Sequence, residues 1–409
     1  MPRRWRRFFT ALGKTPVKPR FFLLQFMSVF GHSTLDSISY KSIGDKLSFS
    51  EGFVTDSIEY LSNNGLLNKT KNKSGKEGKP LNYFSIDERL LGQITLQNES
   101  GDAAIRNMFN ESSHSEIISR LLFISADGSR GHNLKPLNVM LLISLLVNAN
   151  KNGVVYRLGR SDLRSITGMA PDQLKSQLSN LMSKGYIYKA VSGFKGVRLF
   201  GLINSKYFLN ITHESFHINN RMNAIETLML EENFSLSEAA VIFNQVGRLK
   251  RNPEAYDFSD LLDRAKSYFK YDRKKLVVDY LQMKIEEYSS YILSYQLGLE
   301  GNKKNERITH IKLSDKAYSL LSRKVINDVI PNNFKNKYDD EFPSKDEKEA
   351  LIALIIGVSL KLAEQISRCS SFYEYAFDGN KRYFFLITSA PNHQLEFRIR
   401  SDIQQSHII

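Results

Sequence analysis

An internal repeat constrains this chain more than any other feature. Ile43, Val54, Ile58, Leu61, Gly65 and Lys69 are each followed 120 positions later by a residue of the same class: Leu163, Leu174, Leu178, Leu181, Gly185 and Lys189. Phe22, Phe26 and Met27 fall likewise on Leu142, Leu146 and Val147. Either apolar pattern alone fits any helical hairpin. Two copies in one register, each stopped by a glycine, require a duplicated unit.

The second copy is the easier to read. Leu163 and Ile166 give a short apolar helix, Thr167 to Pro171 a tight turn, and Leu174, Leu178, Leu181 and Met182 the buried face of a second helix. Pro171 suits a first helical turn, where its missing N–H is no loss, and Gly185 is placed to end the helix. Two β-runs follow, Tyr186 to Val191 and Val197 to Ile203, and the glycine-containing stretch from Ser192 to Gly196 is expected to join them as a hairpin. The first copy repeats the plan. Helices are expected over Phe21 to Phe30, Tyr40 to Leu47 and Glu51 to Asn64. A strand opens at Leu66-Leu67 and returns over Leu81 to Ile86. Helix, turn, helix and hairpin together read as a winged helix-turn-helix, here in tandem.

The exposed faces of the two second helices differ. In the second copy Gln173, Ser176, Gln177 and Asn180 have the donors and acceptors that read base edges in the major groove, with Lys175, Lys189, Lys195 and Arg198 placed for phosphates. In the first copy Glu51, Asp56 and Glu59 would be repelled by the groove. Its wing, with Lys69, Lys71, Lys73, Lys76 and Lys79, is the better phosphate contact, and a protein-binding role for this copy is the alternative.

Charge agrees with this assignment. The 409 residues carry a formal net charge of +14, which favours polyanionic partners. The first 20 residues hold seven Arg and Lys residues and no acid, as expected of an arm that follows phosphates or of a solvated tail. Cys369 is the single cysteine, so an intrachain disulfide and a cysteine-rich zinc module are excluded and a cytoplasmic setting is expected. The longest apolar stretch, Ala350 to Leu360, reads as a buried helix, with no membrane partner expected.

The expected organisation is a basic arm (1–19), winged helix 1 (20–95), a helical linker (96–135), winged helix 2 (136–210), a helical domain (211–300) and a C-terminal α+β region (301–409). The fold class is thus mainly α with small β-hairpins. In the C-terminal half, helices are expected over Met222 to Leu230, Leu236 to Leu249, Phe258 to Phe269, Lys274 to Leu297, Asp315 to Val329 and Lys345 to Ile366. A terminal hairpin is expected from Arg382 to Thr388 and Gln394 to Arg400. Val278, Leu281, Ile285, Tyr288, Ile292 and Tyr295 follow heptad spacing, which marks either a packed core helix or a homodimer seam.

One enzyme-like string occurs, His213-Glu214-Ser215-Phe216-His217. On a helix its histidines would face zinc with Glu214 as general base. It directly follows a β-run, precedes Asn219-Asn220 and lacks an obvious third ligand. It is therefore read as surface or capping histidines, and a zinc metallopeptidase is the remote alternative. No phosphate-binding glycine loop or nucleophile elbow is present, so neither catalytic residues, metal nor cofactor is expected.

At the level of the module, Leu178, Leu181, Gly185 and Ile187 form an L-x-x-L-x-x-x-G-x-I pattern that resembles bacterial transcription regulators of the multiple-antibiotic-resistance type. Paired winged helices in one chain also resemble plasmid replication initiators. The resemblance covers roughly a third of the chain and implies a double-stranded DNA-binding protein of a bacterial or mobile-element system. Transcription regulation is the first expectation and replication initiation the second.

Overall fold

The structure is a computed structural model. It describes residues 1–32, 38–72, 81–96, 99–123, 132–156, 158–196, 198–216, 225–229, 238–248, 257–270, 275–300, 311–330, 343–369, 381–389 and 395–403. The described residues form fifteen helices and small antiparallel sheets. They divide into two units, Met1–Ala190 with Ser205–Ile218, and Val191–Asn204 with Asn219–Ile409.

The first unit runs α1 (Arg3–Ala11), α2 (Val17–Phe30), α3 (Tyr40–Leu47), α4 (Glu51–Asn63), β1 (Leu67–Asn72), β2 (Leu81–Ile86), α5 (Glu88–Ile94), α6 (Gly101–Asn110), α7 (Ser115–Leu122), α8 (Pro136–Asn148), β3 (Val154–Val155), α9 (Arg160–Thr167), α10 (Pro171–Ser183) and β4 (Ile187–Val191). The chain then contributes β5 (Phe194–Lys195) and β6 (Leu202–Ile203) to the second unit and returns to the first as β7 (Lys206–Leu209). Helices α2 and α8 form its centre. Both are apolar on nearly every side, and Phe21, Phe22, Leu24, Phe26, Val139, Leu141, Ile143 and Leu145 are fully buried.

The repeat survives in three dimensions. Helices α9 and α10 begin and end 120 residues after α3 and α4, and β4 begins 120 residues after β1. Even the turn conformation matches, because Ser48 and Gly168, at equivalent positions, both adopt left-handed backbone (φ 53° and 71°). Such backbone is strained for serine and easy for glycine. Gly168 has a further reason to be glycine. A Cβ there would lie 2.3 Å from the Thr15 carbonyl oxygen and 2.8 Å from Arg20 Nε.

Three sequence expectations need correction. First, the basic N-terminal segment is not a free arm. Trp5, Phe8 and Phe9 are buried, and Trp5 packs edge-on to Phe109 at 5.7 Å. Pro2 offers α1 no side-chain cap, so the backbone N–H groups of Arg3 and Arg4 donate to the Glu111 carboxylate instead, at 3.2 and 2.8 Å. The Arg4 side chain pairs with Glu99 at 3.1 Å. Arg20 is buried and donates to the carbonyls of Gly13, Thr15, Ser165 and Ile166, which ties the α1–α2 connection to the end of α9.

Second, β4 does not pair with a strand over Val197 to Ile203. It pairs with β7, in a sheet ordered β3-β7-β4, while β5 and β6 pair separately within the second unit. There Phe194 and Phe200 pack edge-on to Tyr280 at 5.5 and 4.8 Å, and the Phe200 N–H donates to the Val329 carbonyl at 2.7 Å. Tertiary aromatic contacts have overridden the local hairpin signal.

The rest of the second unit comprises β8 (Ile225–Met229), α11 (Glu238–Arg248), α12 (Ser259–Lys270), α13 (Lys275–Glu300), α14 (Asp315–Val329), α15 (Lys345–Arg368), β9 (Lys381–Ser389) and β10 (Leu395–Ile403). The third correction lies here. Within Met222 to Leu230, expected to be helical, residues 225–229 form a strand, and the sheet order is β8-β10-β9. A five-residue segment is too short to carry a usable period, so its partner β10, with Leu228 opposite Phe397, decides its conformation.

Helix α15 starts in a capping box. Ser344 Oγ accepts from the Glu347 N–H at 3.1 Å, and Glu347 returns the bond to the Ser344 N–H at 2.7 Å. By length and composition α15 is apolar enough to cross a membrane, but 67% of its most apolar stretch is buried against neighbouring helices. The seam of α13 is used inside the unit. Leu281, Ile285, Tyr288 and Ile292 are buried, and Ser289 Oγ reaches the Ser359 carbonyl of α15 at 2.8 Å. The chain's own helices thus cover the centre of that face, while Val278 and Tyr295 at its ends are half-buried. On its flank Lys284, buried, pairs with Glu287 and Asp328 at 2.8 and 2.7 Å. Burial alone would lower the Lys284 ammonium, but the two carboxylates outweigh it and hold it above the usual lysine range.

Candidate nucleic-acid interface

Helix α10 exists because Leu174, Leu178 and Leu181 bury one face against α8 and α9 while Pro171 opens its first turn. Met182, expected on the buried face, is 42% exposed. What the packing leaves outside is almost entirely polar. Asp172, Gln173, Lys175, Ser176, Ser179, Asn180 and Ser183 are exposed, and Gln177 is half-buried. Asp172, Lys175, Ser176, Ser179, Asn180 and Ser183 line one shallow groove along the helix. Ser179 and Ser183 escaped the sequence reading, although their spacing from Asp172 and Ser176 places them on that same face.

Hydrogen bonds separate these side chains into two groups. Gln173 Oε1 accepts from the Ala170 N–H at 3.2 Å, the returning half of a capping box whose other half an alanine cannot make. Asn180 Oδ1 accepts from Asn138 Nδ2 at 2.9 Å, which ties α10 to α8. Both are thus employed in holding the helix. Lys175, Ser176 and Gln177 make no side-chain hydrogen bond or ion pair among the described residues. They are free to bind something else.

Two cations not singled out from the sequence lie on the preceding helix. Arg160 and Arg164 are exposed on α9 and have no ion-pair partner among the described residues. Their signal was available, because Arg160 and Arg164 stand where the first copy has Tyr40 and Gly44.

The other expected phosphate contacts scatter. Lys189 is half-buried on β4 and already engaged. Lys195 is exposed, but on β5 of the second unit. Arg198 is 7% exposed in that unit, its guanidinium directed at the Ser267 carbonyl at 3.4 Å, so it is not a surface cation. Lys69 lies half-buried with its Nζ 5.2 Å from the Tyr40 ring centre. Lys71 is in β1, and Lys73, Lys76 and Lys79 lie outside the described residues.

On α4 the equivalent face has the opposite character. Glu51, Asp56 and Glu59 are exposed, and the Thr55 hydroxyl turns back onto the Glu51 carbonyl at 2.9 Å. As for the zinc-like string, Glu214–Phe216 is a single 3₁₀ turn and His217 lies outside the described residues. His213 stacks on Tyr186 at 3.9 Å, with Nδ1 2.9 Å from Ser215 Oγ and Nε2 3.0 Å from the Lys184 carbonyl oxygen. Both ring nitrogens are occupied. No group of three or more potential metal ligands occurs among the described residues.

No protein-family model matches the chain, and no curated protein or solved structure shows significant similarity to it.

Proposed function

We propose that this chain is a double-stranded DNA-binding protein, with tandem winged helices in its first unit and α10 as its recognition helix. The observation that carries the reading is the polar face of α10, in which Lys175, Ser176 and Gln177 have no hydrogen-bond or ion-pair partner among the described residues, beside Arg160 and Arg164 of α9, which have no ion-pair partner among them. In the proposed mechanism α9 crosses the backbone and α10 enters the major groove. Ser176 and Gln177 contact base edges, Ser179 and Ser183 border the same groove, and Lys175, Arg160 and Arg164 neutralise phosphates. Gln173 and Asn180 act indirectly by fixing the helix. The net charge of +14 supports a polyanionic partner.

Transcription regulation is the role we propose, in a cytoplasmic, bacterial or mobile-element setting. Replication initiation through both recognition helices is disfavoured by the acids on α4, which would face phosphates. The test is selection of bound duplexes from a random pool by the full chain. Enrichment of a defined site, with affinity falling steeply as salt rises, is expected. Retention of no duplex even at low salt would exclude the reading.

A further inference from the structure

Within the first unit, a cavity of about 510 Å³ opens where four helices begin. The N-terminal turns of α2, α4, α8 and α10 all contribute to its wall, through Lys18, Ser50, Leu137 and Gln173. Helix N-termini present partly positive N–H groups. Those of α2 and α8 have no side-chain oxygen capping them. Lys18 adds a full positive charge, is exposed, and forms no ion pair among the described residues.

The α4 side of the cavity supplies different groups. Ser57 is 2% exposed and lines the cavity, yet its hydroxyl has no hydrogen-bond partner among the described residues. A hydroxyl that lines the cavity without a protein partner is available to hydrogen-bond a ligand there. One residue away, Asp56 is an exposed carboxylate without an ion-pair partner among the described residues. Phe53 and Tyr60 flank this pair, and the Phe53 ring is held in place by stacking on Phe49 at 4.4 Å. The cavity thus combines an anion-attracting end, a carboxylate and an aromatic wall, at a volume within the roughly 300–1,000 Å³ typical of ligand pockets.

We infer that this cavity binds a small zwitterion of amino-acid type with an apolar side chain. Its carboxylate faces Lys18 and the uncapped N–H groups of α2 and α8, its ammonium faces Asp56 and donates to Ser57 Oγ alongside, and its side chain lies on Phe53 and Tyr60. A simple carboxylate would meet Asp56 unfavourably, and a simple amine would meet Lys18 and the helix ends unfavourably. Gln173 belongs both to this wall and to the cap of α10, so occupancy reaches the recognition helix. That last consequence, an effector role, rests on the DNA-binding reading. The binding itself does not.

The test is calorimetric titration of the full chain, without DNA, with L-phenylalanine, phenylacetate and phenethylamine as probes. L-Phenylalanine is expected to bind, and each half-molecule about tenfold more weakly or not at all. Asp56→Asn should weaken L-phenylalanine and phenethylamine but spare phenylacetate, and Lys18→Met should do the reverse. Both positions are exposed, so thermal unfolding should be unchanged. No heat from any probe, equal affinity for phenylacetate and L-phenylalanine, or binding unaltered in both variants would overturn the inference. Repeating the titration with the selected duplex present separates the two claims. Binding with no effect on DNA affinity removes only the effector role.

Discussion

The two copies of the repeat share a backbone plan but differ in surface. Helices α3 and α4 match α9 and α10 end for end, and the same left-handed turn joins each pair. Yet α4 exposes Glu51, Asp56 and Glu59 where α10 exposes Pro171, Ser176 and Ser179. The core therefore preserves the scaffold and leaves the outer face free to diverge. One duplicated unit can carry a polar helix face in one copy and an acidic one in the other.

The sharpest break in the symmetry is at the turn. Gly168→Val places a branched side chain at φ 71° against the Thr15 carbonyl and Arg20, and is expected to destabilise the first unit by about 3 kcal/mol or more. Ser48→Gly at the equivalent position relieves strain and should be neutral or stabilising by about 1 kcal/mol. Thermal or denaturant unfolding compares them. Equal losses in both variants would show that the turns are not constrained as described.

Reversing the surfaces comes next. Lys175→Glu is expected to weaken binding to every duplex about tenfold or more and to reduce the salt slope, whereas Glu59→Lys should leave binding unchanged or tighten it. Retardation assays at two salt concentrations read both. Gln177→Ala should cost about 1–3 kcal/mol on the selected site and little on random DNA. By contrast, Gln173→Ala should lower stability by about 0.5–1 kcal/mol through the lost cap. If Gln173→Ala altered sequence preference while leaving stability untouched, its assignment as a cap would fail.

The smallest effect concerns the second unit. Burial pushes the Tyr268 hydroxyl up to about 12. The folded state then keeps a proton that the unfolded chain begins to lose near pH 10. The stability this group contributes is present below that pH and is lost as pH rises through the folded value. Tyr268→Phe should flatten this alkaline slope, measured by denaturant unfolding between about pH 9 and pH 11.

The scaffold was legible in the sequence because its signals are periodic and local. The boundaries of α3 and α14 were read without error, and Pro171 located the start of α10. What escaped depended on distant partners. Nothing local shows that Phe194 and Phe200 pack on Tyr280, so the sequence alone presents the segment they belong to as a wing and Arg198 as a surface cation. Nor does composition show that a segment as basic as the first twenty residues forms a helix anchored by Trp5, Phe8 and Phe9. At the candidate site the sequence points to α10, but which of its amides are free is visible only in the hydrogen bonds. Gln173 and Asn180 have the same chemistry as a base reader and are already bonded.

The most direct test of the difference between the copies is site-directed photo-crosslinking to the selected duplex from a reactive residue at position 176 on α10 or at position 59 on α4. The account predicts strong crosslinking to base positions from 176 and none from 59. Crosslinking from 59 with none from 176 would contradict it and transfer recognition to the first copy.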